Sequence, residues 1–306
     1  MSCGCSTSKK KVSLGINGST HAMTLLAPAK LNLCLHVVGR RVDGYHELLS
    51  LMCCVALYDR LELHIGVVEN SILCDHPAVP ADGANLALRA ALLFNRVLGH
   101  DTGIGPRPVS IRLTKHIPVG GGLGGGSSDA AAVLKGLNRY HGNPFDRQAL
   151  LSLAARLGAD VPFFIDQRPA VAAGIGERLT AYHGLPPLGA LLVCPDFGIS
   201  TAEVFENLNF GLTKSKKKLR YLPFKNGNFS ANKHLHNDLE AGVIRRFPVI
   251  ARIKKMLQDQ GAIGSMMSGS GSTVFGLFVD QAAAERAEKT LDRPDAWQVY
   301  ATRLLA

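Results

Sequence analysis

Six glycines fall between Gly120 and Gly126, inside the stretch Pro118-Val119-Gly120-Gly121-Gly122-Leu123-Gly124-Gly125-Gly126-Ser127-Ser128-Asp129. Before it, Val109–Lys115 alternates apolar and polar residues, the period of a half-buried strand. After it, Ala130–Tyr140 is mostly good helix formers and stops at Gly142-Asn143-Pro144. The spacing therefore predicts a strand, a glycine loop and a helix capped by Ser127, Ser128 or Asp129. Glycines allow positive φ and a close approach of backbone to ligand. The unpaired N–H groups of the helix start, with its dipole, then favour an anion, phosphate above all.

Two familiar phosphate loops do not fit. A Walker A loop needs Lys then Ser/Thr after its last glycine, and no Lys follows Gly126 until Lys135. A dinucleotide fingerprint matches Gly120, Gly122 and Gly125, but so many glycines match it trivially. The alternating strand ahead of it is also unlike the doubly buried first strand of such folds.

At 306 residues, with 46% hydrophobic and 19% charged residues, the chain has ample length for a core and reads as globular. Its longest apolar run, Leu48 to Leu57, is too short to cross a bilayer. The net charge of +10 raises the possibility of nucleic acid, yet eight of the 34 basic residues sit in two short runs, Lys9–Lys11 and Lys214–Arg220. No basic stripe interleaved with aromatics appears, so neither a nucleic-acid nor a membrane partner is expected. Seven cysteines without a CxxC pair favour reduced thiols and a cytoplasmic location. Residues 1–22 read as a disordered extension without a secretion signal, and a domain is expected to begin near Met23.

Along the chain, Leu31, Leu33, Leu35 and Val37 alternate on one face of a strand, which puts Lys30 and Asn32 on the other. Asp43-Gly44 is a turn signal, with Tyr45 and His46 directly behind it. Leu48–Leu57 and Leu61–Ile65 read as separate strands split by a turn at Tyr58-Asp59-Arg60. Asn85 caps a helix over about 86–98, and another helix starts near Asp146 and ends at Gly158, which leaves Asp160 in a stiff corner before Pro162. Farther on, 188–194 reads as a strand. Ser200-Thr201-Ala202-Glu203 opens a short helix carrying Phe205, residues 213–233 read as loop, and helices follow near 238–246 and 249–260. A second loop of small residues, Gly264–Thr273, runs into strand Val274–Val279, and helix 282–291 and strand 297–303 complete the chain.

The segment Pro-x-x-x-Gly-Leu-Gly-Gly-Gly-Ser-Ser with its alanine-rich helix closely resembles the ATP loop of the GHMP small-molecule kinases. Three further blocks narrow the resemblance: Ala27-Pro28-Ala29-Lys30-Leu31-Asn32-Leu33 with Arg41-Val42-Asp43-Gly44-Tyr45-His46, Leu157-Gly158-Ala159-Asp160-Val161-Pro162, and Ser268-Gly269-Ser270-Gly271-Ser272-Thr273. In family order and spanning residues 25–279, they are similar to the 4-diphosphocytidyl-2-C-methyl-D-erythritol kinases of the non-mevalonate isoprenoid pathway. That likeness implies an α+β fold of two domains, 23–170 like the ribosomal protein S5 domain 2 and 171–306 ferredoxin-like, with the active site in the cleft between them. It implies transfer of phosphate from ATP, with Mg²⁺, to the 2-hydroxyl of a cytidine diphosphate-linked sugar alcohol, by a monomer or homodimer. By motif position, Pro118, Val119, Gly120, Gly121, Gly122, Leu123, Gly124, Gly125, Gly126, Ser127 and Ser128 would cradle the ATP phosphates, with Ser128 or Ser127 near Mg²⁺. Asp160 would contact the substrate hydroxyl and Lys30 would pair with Asp160 and the transferring phosphoryl. Asn32, Tyr45, His46, Thr201 and Phe205 would hold the cytidine diphosphate, Tyr45 and Phe205 by stacking, while Gly269, Ser270 and Gly271 close the site. The alternatives are a kinase of the same superfamily acting on another alcohol, or a non-catalytic regulator derived from one.

Overall fold

Two long antiparallel strands, β1 (His21–Arg40) and β2 (His46–Ile65), joined by the turn at Asp43-Gly44, form the spine of the computed structural model, which describes residues 21–208 and 227–306. Strands of 20 residues cannot stay regular and flat, and three register shifts, at Pro28/Ala29, Asn32/Cys34 and Val37/Gly39, bend this pair. In place of the expected turn, Tyr58, Asp59 and Arg60 pair with Pro28, Ala27 and Leu26, and the first bulge falls just before them at Ala56-Leu57. Pro28 pairs with Tyr58 and Ala29 with Val55, so β2 continues unbroken and Asp59 turns into the interior. The second shift interrupts the simple alternation expected of β1. Leu31 and Leu33 enter one hydrophobic cluster with Ala29 and Cys34, whereas Leu35 and Val37 enter another.

The N-terminal half adds β3 (Ser71–Cys74), α1 (Leu86–Thr102), β4 (Val109–Thr114), α2 (Gly125–Tyr140), α3 (Arg147–Ala155), α4 (Phe163–Asp166), β5 (Ala170–Gly174) and β6 (Arg178–Ala181). Asn85 caps α1 by accepting the N–H of Ala87, and Asp146 caps α3 by accepting that of Ala149, both as the sequence indicates. Helix α1 runs on to Thr102 and ends at the left-handed Gly103 instead of at Gly99. Alanines 130–132 are buried and let α2 lie close against β1 and α1.

The C-terminal half contains β7 (Gly189–Cys194), α5 (Thr201–Glu206), α6 (Ala231–His234), β8 (His236–Asn237), α7 (Glu240–Arg246), α8 (Val249–Asp259), β9 (Gly264–Met267), β10 (Val274–Phe278), α9 (Gln281–Thr290) and β11 (Gln298–Leu305). Strands β7, β9, β10 and β11 lie in the order β11-β7-β10-β9, all antiparallel, with α8 and α9 as crossovers. That is the split βαβ arrangement of ferredoxin-like folds. Strand β11 also pairs with β2 through Leu304↔Val55, so one sheet, β3-β4-β2-β11-β7-β10-β9, runs through both halves. Short β8 pairs in parallel with β1. Of the stretch read as loop, Ala231–His234 is helical; the lysine-rich run 214–220 and residues 1–20 lie outside the described residues.

Candidate active site

Helix α2 begins one turn earlier than its polar residues suggest. Gly124, left-handed at φ 72°, occupies the cap position; Ser127 and Ser128 lie in the first turn and Asp129 just beyond it, none of them at the cap. The first helical bond runs from the Ser128 N–H to the Gly124 carbonyl, 3.0 Å, so the N–H groups of Gly125, Gly126 and Ser127 lack intrahelical acceptors. These three donors, with the dipole behind them, suit a polyanion.

Two buried ammonium groups flank this helix end. Lys30 approaches from β1, and its backbone N–H donates to the Leu123 carbonyl at 2.9 Å. Its Nζ donates to Asn32 Oδ1 at 2.5 Å and lies 4.0 Å from Asp160 Oδ2. Asn32 is fixed from behind: its Nδ2 donates to Ser50 Oγ at 2.8 Å, and that hydroxyl donates to the Cys34 carbonyl at 2.7 Å. Burial pushes the Lys30 ammonium below its ordinary pKa, while Asp160 and Cys53 oppose the shift. Asp160, on the turns between α3 and α4, keeps 40% of its side chain exposed and faces the cavity.

Lys115, just past β4, lies against Gly125. It is held between Asp59 and Asp129, the latter at 3.0 Å. Asp59 also accepts the N–H groups of His116 and Ile117 at 2.7 and 2.9 Å, which fixes the approach to the loop. Burial lowers the Lys115 pKa, but Asp129 and Asp59 outweigh it and keep the group above its ordinary value. Burial, against the pull of Lys115, raises Asp129 to about 7. The sequence reading missed this triad. Its signal is long-range: the β2–β4 pairing, Arg60 opposite Thr114, brings residue 59 to residue 115, and α2 carries residue 129 to them.

The glycine loop is locked to the second small-residue loop. A Cβ on Gly122, whose φ is +77°, would stand 2.3 Å from the Ser268 carbonyl oxygen. Ser268 Oγ donates to the Gly122 carbonyl at 3.2 Å, and the Thr273 N–H donates to that of Gly121 at 3.2 Å. Asn237 Nδ2 donates to the carbonyls of Met267 and Gly269, at 2.9 and 2.8 Å.

All of this surrounds one cavity of about 1250 Å³. Lys30, Asn32, Tyr45, His46, Pro118 through Ser127, Asp160, Thr201, Phe205, Gly269 and Ser270 line it. Two expected residues do not. Ser128 is fully buried under α2, its Oγ without a hydrogen-bond partner, whereas Ser127, the other hydroxyl expected near Mg²⁺, lines the cavity. Gly271 packs inward against Met267 and Ile199. The His46 ring stacks on Phe205, centroids 5.1 Å apart at 19°, while Tyr45 is 62% exposed at the rim. Thr201 Oγ1 and Ser270 Oγ share a 2.8 Å hydrogen bond across the mouth. Lys115, Asp129, Val79, Pro80, Asn85 and Leu86 also line the cavity, and the sequence reading had not singled them out for it.

An α+β scaffold that holds a left-handed glycine loop, a buried lysine and an aspartate around one cleft defines a small-molecule kinase of the GHMP class. Residues 85–168 match the GHMP kinases N terminal domain and residues 225–294 the GHMP kinases C terminal domain. A 4-diphosphocytidyl-2-C-methyl-D-erythritol kinase of Syntrophotalea carbinolica is 46% identical over 282 residues, 91% of this chain and 97% of that protein. One from Geobacter sp. strain M21 is 42% identical over 92% and 99%. A crystal structure of 4-(cytidine 5'-diphospho)-2C-methyl-D-erythritol kinase superimposes with a TM-score of 0.76 at 38% identity, over 92% of this chain and 99% of that one. Homoserine kinase from Cytophaga hutchinsonii, at TM-score 0.66 and 20% identity, shares the fold. The chain belongs to the 4-diphosphocytidyl-2-C-methyl-D-erythritol kinase family, a branch of the GHMP kinases that uses ATP to phosphorylate an alcohol. No helix among the described residues is long and apolar enough to cross a membrane.

Proposed function

We propose that the chain transfers the γ-phosphoryl of ATP to the 2-hydroxyl of 4-diphosphocytidyl-2-C-methyl-D-erythritol. The observation that carries this reading is the single cavity, in which the glycine loop and the Lys30–Asp160 pair meet a stacked His46–Phe205 wall. Phosphoryl transfer asks chiefly for positioning and charge neutralisation. The donors of Gly125, Gly126 and Ser127 hold phosphate oxygens, and the apolar wall of Val79, Pro80 and Leu86 takes the adenine. Asp160 accepts a hydrogen bond from the substrate hydroxyl and orients it toward the phosphorus. Lys30, fixed by Asn32, positions Asp160 and offsets charge on the transferring group.

The donor set fits a hard cation: the Ser127 hydroxyl and the Asp129 carboxylate both line the cavity, and Asp129 Oδ1 has no hydrogen-bond partner. When bound, Mg²⁺ would neutralise the charge of the ATP phosphates. At the other end, Phe205 and His46 form one wall for cytosine, Tyr45 is placed to close over the base, and Thr201 and Ser270 face the diphosphate.

The test is an ADP-release assay with Mg·ATP that compares 4-diphosphocytidyl-2-C-methyl-D-erythritol with mevalonate, phosphomevalonate, homoserine and galactose. Turnover on the cytidyl substrate alone is the expected result. Turnover only on another alcohol would discard the proposed cytidine pocket.

A further inference from the structure

Outside the cavity, one cluster of ligating side chains has no part in the reaction. His36 on β1 and His236 and Asp238 on β8 and just after it come together although 200 residues separate them in sequence. Their ligand atoms all lie within 4.8 Å of one another. The pairing explains why. Strands β1 and β8 run parallel with Cys34 opposite His236 and Leu35 opposite Asn237. Side chains alternate along each strand, so residues 34, 36, 236 and 238 share one face and Leu35 and Asn237 the other. Leu35 lines the active-site cavity, which places the histidine face on the reverse side of the same strand pair.

We propose that His36, His236 and Asp238 form a binding site for a borderline-soft divalent cation of the Zn²⁺ type, distinct from the Mg²⁺ that accompanies ATP. Two imidazoles and one carboxylate are a donor set that Zn²⁺, Co²⁺ and Ni²⁺ favour and Mg²⁺ does not. The rings of His36 and His236 already lie 4.4 Å apart at 19°, and His236 Nε2 is 2.6 Å from Asp238 Oδ1. A small rotation of the imidazoles would aim both nitrogens at one ion beside that oxygen. The second carboxylate oxygen, Oδ2, accepts the Val37 N–H at 2.7 Å. That is the outer hydrogen bond that orients a ligating carboxylate, and the ion would replace the proton now shared between Oδ1 and His236 Nε2. Backbone support comes from the Asp238 N–H, which donates to the Leu35 carbonyl at 3.0 Å. The His236 side chain is 50% exposed, so solvent can deliver the ion and supply a water as fourth ligand.

Occupancy would brace the loop behind the active site through one residue, without entering the cleft itself. Asn237, between two of the ligands, holds the Met267 and Gly269 carbonyls and thereby the loop locked to Gly122. An ion joining β8 to β1 ties that loop to the strand that carries Lys30 and Asn32. The site should therefore raise thermal stability when filled, by simple linkage.

The experiment uses the full chain, stripped with a chelator and kept in excess Mg²⁺, titrated with Co²⁺ and, by competition against a chromophoric chelator, with Zn²⁺. Expected are one tight equivalent, visible cobalt bands of four-coordinate intensity and a rise in Tm. His236→Gln, an exposed position whose replacement keeps the fold, should weaken binding roughly 100-fold, as should the near-isosteric Asp238→Asn. Near-wild-type Mg·ATP-dependent turnover in both variants would place the effect outside the catalytic cleft. Cobalt binding that survives both substitutions would overturn the assignment. So would a thiolate-to-cobalt charge-transfer band, which would give the metal to one or more of the seven cysteines instead. No cobalt or zinc binding in the presence of Mg²⁺ would overturn it as well.

Discussion

Lys30 Nζ stands 4.0 Å from Asp160 Oδ2 and 2.5 Å from Asn32 Oδ1, so one buried ammonium joins β1 to the turn that carries the only member of the trio with a substantially open side chain. The pair is asymmetric: Lys30 is 5% exposed and Asp160 40%. The lysine is fixed in place and the aspartate is open to the cavity, where the proposed mechanism puts the substrate hydroxyl. Asp160→Asn should therefore lower kcat by roughly 10²–10⁴-fold, the usual contribution of a positioned acid–base group. ATP affinity, measured by calorimetry, should stay unchanged. Wild-type turnover in this variant would remove Asp160 from the mechanism.

A pH profile tests the other half of the pair. Lys30 must be protonated to offset phosphoryl charge, and burial depresses its pKa, so activity falls as pH rises through a value below that of an ordinary lysine. The alkaline limb of kcat/KM should lie below ~10.4 in the wild type. Lys30→Arg, whatever its residual rate, should lose that limb, because a guanidinium does not titrate in the range. An unmoved limb in Lys30→Arg would assign it to another group.

The Asp59–Lys115–Asp129 triad gives a stability prediction with a definite sign. Lys115→Met leaves two carboxylates buried at 0% and 3% side-chain exposure without their cation, a change that costs about 3–5 kcal/mol. Asp129 is already raised to about 7, against an ordinary carboxylate near 3.8, and loss of the ammonium raises it further. A carboxyl with a raised folded-state pKa is bound to more protons in the native than in the unfolded state, so stability falls as pH rises through that window. The variant should thus lose more stability, relative to wild type, at pH 8 than at pH 5. Denaturant melts at the two values decide it; an equal loss would mean that the carboxylates are relieved in another way.

How much of this could be read from the chain itself depends on sequence distance. The glycine loop, the caps at Asn85, Asp146 and Ser200 and the Asp43-Gly44 turn rest on neighbouring residues, and the structure places them where local chemistry indicates. Lys30, His46 and Asp160, from separate motif blocks, and Phe205, from the short helix capped by Ser200, line one cavity. What local reading missed depends on pairing. A turn at Tyr58-Asp59-Arg60 and a strand carried past a bulge at Ala56-Leu57 have the same composition, and only the pairing with Leu26–Pro28 selects the strand. Ser127 and Ser128 differ by about 100° around a helix, and which of them meets the cavity depends on where Gly124 starts that helix. Lys115 looked like the last residue of an ordinary strand until Asp59 and Asp129 closed on it.

Two glycines in one loop separate strain from contact. Gly120 and Gly122 both have positive φ, 73° and 77°, but a Cβ on Gly120 meets nothing within 4 Å, whereas one on Gly122 meets the Ser268 and Gly271 carbonyl oxygens at 2.3 and 3.0 Å. Gly120→Ala should cost only the left-handed conformation, about 1–2 kcal/mol. Gly122→Ala must also push the second loop away, so its Tm should fall further and ATP binding should weaken more than in Gly120→Ala. Equal melting temperatures and equal ATP affinities would show that the two loops are not in register as described.

The His46–Phe205 stack predicts a separation of the two substrates. Phe205 is carried by α5, whose cap Ser200 accepts the Glu203 N–H, and it lines the cavity together with His46, on which it stacks. Replacing the ring removes a stacking surface worth about 1–3 kcal/mol per base, while the glycine loop is untouched. Phe205→Ala should raise KM for the cytidyl substrate roughly 5- to 150-fold and leave KM for ATP within error of wild type. Phe205→Tyr, which keeps the face, should restore most of the loss. A rise confined to the ATP KM would put the nucleotide at this end of the cavity and reverse the orientation of the two substrates.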